Sequence, residues 1–158
     1  IIEFEKQLEQ IYKIVTAMKK KLIIITHPSF HVFDFSETLK KISSDIEIIS
    51  AGNTMELVNS CDVMIATNYT TVILESYLLE KPVICLPIID YNLGTPALFD
   101  FNAETNISIG KLHMTLEKLL RDKNFKNKTI QRQNEFVENY LANYGNSSKK
   151  LLEYIETI

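Results

Sequence analysis

The sequence predicts an α/β protein built on a doubly wound parallel sheet, with extra helices at its C-terminal end. Three observations carry that expectation. Strand-length apolar runs alternate with amphipathic, helix-length stretches. The runs Leu22 to Ile25, Ile46 to Ile49, Val63 to Ala66 and Val83 to Leu86 read as apolar on both sides, the pattern of a parallel sheet covered on both faces. The last third of the chain is more polar and helical, and is read as packing on the same domain. A chain of 158 residues suits one domain, here 1–158, with a single core.

The elements follow in order. Phe4, Leu8, Ile11, Ile14, Val15 and Met18 recur at helical spacing, so 3–20 reads as a helix. Leu22 to Ile25 is a β-branched run closed by His27-Pro28, because Pro28 has no N–H to give a ladder. Residues 29–35 read as an aromatic-rich loop, and Ser36 as the cap of a short helix to Ile42. Ile46 to Ile49 is the next strand. Asn53 and Glu56 have capping-box spacing ahead of a helix through Asn59. After the strand Val63 to Ala66, Thr70 or Thr71 opens a helix to about Leu79. Lys81-Pro82 ends it, and Val83 to Leu86 follows. Thr95-Pro96 reads as an N-cap with proline at the first helical position. A short strand is expected at Asn106 to Ile109, then helices near 112–121, 126–142 and 147–157.

Composition excludes several classes. Apolar residues make up 46% and charged residues 23%, ordinary for a globular chain. The net charge of −3 and pI near 5.7 give no reason to expect a nucleic-acid partner, although a local basic cluster can hide within a mild average. No apolar run approaches the ~20 residues that cross a bilayer. The opening residues Ile1, Glu3 and Glu5 are unlike a secretory leader, so the expected location is cytoplasmic. Cys61 and Cys85 read as buried free thiols. No His/Cys spacing suggests a metal, and no metal or cofactor is expected.

Ligands of open parallel sheets bind beyond the carboxyl ends of the strands. Four segments meet that condition: His27-Pro28-Ser29, Ser50 to Thr54, Thr67 to Thr71, and Pro87 to Gly94. The third is the most informative. Asn68-Tyr69-Thr70-Thr71 joins a strand to a helix start, where N–H groups and two hydroxyls suit phosphate. Glu75 lies about one turn on, placed to accept from ribose hydroxyls. The bland alternative makes Thr70 or Thr71 an N-cap and Glu75 a solvated helix residue. Asp90 and Asn92, beyond the fourth strand, read equally as substrate contacts or as plain loop. His31 and His113 belong to no constellation. With four glycines and no glycine-rich cradle, phosphate contacts must come from hydroxyls and helix starts.

The stretch from Ser60 through Glu75, with Asn68-Tyr69-Thr70-Thr71 at its centre, then Leu79-Glu80-Lys81-Pro82-Val83-Ile84, resembles the C-terminal, Rossmann-like domain of GT-B-fold enzymes. The closest flavour is the CDP-glycerol glycerophosphotransferase family and related capsule polysaccharide enzymes. Residues 21–90 carry the likeness, and His27-Pro28 resembles the family's His-Pro element. The resemblance implies nucleotide phosphates at Thr70 and Thr71, ribose at Glu75, and His27 at the reaction centre. Asn68 stands where the family has Asp, and Thr-Thr replaces Ser-Ser. Retaining GT-B glycosyltransferases and UDP-N-acetylglucosamine 2-epimerases share parts of the spacing.

Taken together, the expectation is the nucleotide-binding half of a larger two-domain transferase. It would move a sugar or alditol phosphate from a nucleotide-activated donor in glycopolymer synthesis. The acceptor site, a second catalytic group and any contact with the inner membrane face would come from an N-terminal domain. The alternatives are a 2-epimerase-like enzyme or a non-catalytic nucleotide-sensing or structural module.

Overall fold

The structure, a computed structural model, describes residues 2–26, 40–44, 46–49, 52–67, 70–87, 104–141 and 145–157. In chain order, α1 (Ile2–Ala17) leads to β1 (Ile23–Ile25), β2 (Glu47–Ile49), α2 (Thr54–Ser60), β3 (Met64–Ala66), α3 (Val72–Leu78) and β4 (Val83–Cys85). A 3₁₀ turn (Ile109–Lys111) runs into α4 (Leu112–Arg121), followed by α5 (Lys123–Tyr140) and α6 (Ser147–Ile155).

The doubly wound sheet expected from the sequence does not form among the described residues. Helix accounts for 61% of the described residues, and the strands make two separate parallel pairs, β1–β2 and β3–β4. Ile23 faces Glu47 in the first pair, and Met64 faces Val83 in the second. The physical reason lies in strand length and coverage. Each run pairs only three residues with one other strand, β4 adding a single bridge at Cys85, so each ladder satisfies few backbone groups. Ile23 and Ile25 remain 37% and 41% exposed, so β1 is not covered on both faces as an interior parallel strand is. The strand expected at Asn106 to Ile109 is also absent. Asn106 makes one isolated parallel bridge to Cys85, and Ser108 then leads directly into the 3₁₀ turn.

Packing nevertheless joins the two pairs. Ile24 and Ile48 from one, and Ile65 and Ile84 from the other, meet a cluster filled by α1 and α4 through Leu8, Ile11, Leu112 and Leu116. A second cluster holds Ile73 and Tyr77 of α3 against Phe136 and Val137 of α5. β4 stands between them. Ile84 and Leu86 point into the first cluster, Val83 and Cys85 into the second, following the two-residue alternation of a strand.

Helix ends follow their local chemistry. Asn53 caps α2, its Oδ1 accepting from the N–H groups of Met55 and Glu56 at 3.1 and 3.4 Å. Asp122 caps α5 in the same way, accepting from Asn124 and Phe125. α1 and α3 both end on a left-handed residue that is not glycine. Lys19 has φ 56° and Glu80 has φ 53°. In each case the next residue's N–H reaches back, Lys20 to the Val15 carbonyl at 3.1 Å and Lys81 to that of Ser76 at 2.9 Å, the Schellman closure. Lys19→Gly should therefore raise stability by up to ~1 kcal/mol, because glycine takes this backbone without the Cβ penalty. Urea unfolding checks it, and a loss of stability would mean that the unfolded chain's gain in freedom outweighs the relieved strain.

Candidate functional site

β3 ends at Ala66, and its continuation delivers Thr70 and Thr71 to the start of α3. The two threonines differ. Thr70 is half-buried, and its hydroxyl accepts from the Val72 N–H at 3.3 Å. Thr71 already has helical backbone (φ −63°, ψ −21°), is exposed and makes no side-chain cap. The first turn is tightened by bonds from Ile73 N–H to the Thr70 carbonyl at 3.2 Å and from Leu74 N–H to the Thr71 carbonyl at 2.9 Å.

Glu75 follows on the same turn. It lies two residues past Ile73, which at 100° per residue carries it ~200° round the helix, away from the buried Ile73 and Tyr77. Its side chain is nonetheless half-buried, and Oε2 is shut from solvent without accepting a hydrogen bond. A buried acceptor left unmatched costs ~1–3 kcal/mol, and more when the group is charged. The solvated helix residue of the bland reading would have no such oxygen. The structure thus brings Thr70, Thr71 and Glu75 onto one strand–helix connection. His27, Asn68 and Asp90, the other expected site residues, lie outside the described residues, as does His31. His113 is exposed on α4.

α3 is held from behind by a residue the sequence reading did not single out. Gln133 of α5 is fully buried. Its Nε2 donates to the Lys81 carbonyl at 2.8 Å, and its Oε1 accepts from the Val83 N–H at 3.0 Å. One amide therefore completes the backbone of the link between α3 and β4. The signal was present: Thr129, Gln133, Phe136 and Val137 fall at i, i+4, i+7 and i+8, so Gln133 stands inside the buried stripe of α5. A buried amide at such a position must find partners.

The cysteines divide. Cys85 is buried in β4, and desolvation pushes its thiol up to about 12. Cys61 is less enclosed; desolvation raises its thiol too, with Lys81 nearby working in the opposite direction. Neither sits as a low-pKa, reactive thiol. Among the described residues no group of three His, Cys, Asp or Glu side chains converges as metal ligands. No helix among them is long and apolar enough to cross a membrane.

No family model, curated protein or solved structure matches the chain.

Proposed function

We propose that this chain binds a nucleoside diphosphate through Thr70, Thr71 and Glu75, as the nucleotide-binding half of a transferase that moves a sugar or alditol phosphate. The observation that carries the reading is the buried, unmatched Oε2 of Glu75, one turn past the two threonines. A carboxylate oxygen in that state needs a donor, and a change of side-chain rotamer that turns it outward would let a ligand supply one. The vicinal hydroxyls of a ribose are two O–H donors at the spacing of one carboxylate, and such bonds are charge-assisted. The exposed Thr71 hydroxyl adds a donor for the diphosphate. The resemblance of residues 60–84 to GT-B enzymes supplies the transferred group. In that reading His27 acts at the reaction centre, and charge developing on the leaving nucleotide is stabilised beside Thr70 and Thr71.

Calorimetry with CDP, UDP, GDP and ADP tests the reading. One of the four should bind saturably. Glu75→Gln should weaken it by ~1–2 kcal/mol, roughly 5- to 30-fold, while pyrophosphate binding stays unchanged. The 2′-deoxy form of that nucleotide should lose much of the same increment on the native protein and little more on the variant. Equal weakening of nucleotide and pyrophosphate would make Glu75 a fold residue. Absence of binding by all four nucleotides would remove the reading.

A further inference from the structure

Charge is unevenly distributed along the chain. Residues 111–132 hold seven lysines and arginines against Glu117 and Asp122, a net +5, in a chain whose total is −3; everything else therefore carries −8. On α4 the cations form a stripe. Lys111, just ahead of the helix, Lys118 and Arg121 fall at i, i+7 and i+10, with Met114 at i+3. They lie on the side away from the buried Leu112, Leu116 and Leu119. The three cations are exposed, and Met114, a flexible apolar side chain between them, is 52% exposed. The start of α5 adjoins the stripe, because the Lys118 ammonium stands 5.6 Å over the centroid of the Phe125 ring. Lys123 and Lys126 flank that ring in sequence. Arg121 pairs with Glu117 at 2.9 Å. Among the described residues, Lys111, Lys123 and Lys126 enter no ion pair.

We propose that this stripe docks on a bilayer bearing anionic lipids, with Met114 entering the headgroup layer and the surrounding cations meeting lipid phosphates. Two features favour a bilayer over another polyanion. An exposed methionine among cations suits a surface with an acyl boundary beneath its charges. A single-stranded nucleic acid is instead held by open aromatic faces, and the Phe125 ring lies half-buried beneath Lys118. Each cation near an anionic bilayer strengthens binding ~5-fold, and salt screens the effect. The proposal is independent of the nucleotide site.

Vesicle co-sedimentation of the whole chain tests it. Binding to phosphatidylglycerol-containing vesicles at low salt is expected, with loss at high salt and none to pure phosphatidylcholine. Lys118→Glu combined with Arg121→Glu should weaken binding at least ~100-fold, taking each reversal as the loss of more than one cation's contribution. Met114→Ser should weaken it several-fold with its charges intact. Lys6→Glu with Lys13→Glu, exposed on α1, is the control and should leave binding unchanged. Circular dichroism verifies that each variant is folded; should the α4 pair not be, Lys111→Gln with Lys123→Gln, two exposed substitutions, replaces it. Equal binding to neutral vesicles, no binding to anionic ones, or equal loss in the α1 control would overturn the proposal. Binding to an acidic polypeptide such as polyglutamate with none to anionic vesicles would also overturn it and assign the stripe to a protein partner.

Discussion

Gln133→Leu is expected to destabilise the protein by about 2–4 kcal/mol. The substitution keeps the side chain's bulk inside the buried stripe of α5 but strands two backbone groups, the Lys81 carbonyl and the Val83 N–H. Each unmatched buried group costs ~1–3 kcal/mol. A small domain has only ~5–15 kcal/mol in total, so the midpoint of urea unfolding should fall sharply while its slope stays constant. Gln133→Glu should be nearly as damaging, because a carboxylate accepts from Val83 but cannot donate to Lys81. A midpoint unchanged within ~0.5 kcal/mol would show that the link between α3 and β4 is held by other bonds.

Tyr77→Ala should cost at least as much, about 3–5 kcal/mol, because the side chain is fully buried between α3 and α5. Its ring meets Phe136 edge-on, with centroids 5.9 Å apart and planes at 76°. Phe136 in turn stacks on Tyr140 at 4.5 Å. Calorimetric melting should show a drop of roughly 10 °C, at ~2–4 °C per kcal/mol for a domain of this size. Tyr77→Phe retains the ring contact and should lose less than ~1.5 kcal/mol, and a double cycle with Phe136→Leu should yield a coupling of ~0.5–1.5 kcal/mol. Additive losses would mean that the two rings are neighbours without a specific geometry between them.

The helices were legible in the sequence because their information is local. The 3.6-residue recurrence of Leu8, Ile11 and Val15 marks α1, and Asn53 announces the helix it caps; α5, expected from about 126, starts at Lys123 behind Asp122, a cap the sequence reading passed over. The strand runs were legible as strands, including the parallel sense of both pairs. Their assembly was not. Which ladder joins which is decided by contacts far apart in sequence, and a run such as Leu22 to Ile25 looks the same whether one face or both are covered. The reading of Asn106 to Ile109 failed similarly: alternating apolar residues there serve a bridge and a 3₁₀ turn. At the site, hydroxyl and carboxylate spacing picked out Thr70, Thr71 and Glu75. It could not show that one Glu75 oxygen is buried, nor that Gln133 completes the backbone behind it, since both depend on tertiary packing.

The position of β4 between two clusters has a consequence for how the molecule comes apart. Ile84 and Leu86 belong to one core, Val83 and Cys85 to the other. Neither core can open around this strand without disturbing the residues that anchor the other. The amide of Leu86 is tied to Ala66, and that of Cys85 to Thr105. Exchange of these hydrogens with solvent then requires global unfolding. β1, with two exposed isoleucines, and α6, whose Leu151, Leu152, Tyr154 and Ile155 are all more than half exposed, lie at the opposite end of that scale and exchange through local fraying. The protein is therefore expected to unfold from its edges inward, with the four residues from Val83 to Leu86 setting its slowest clock.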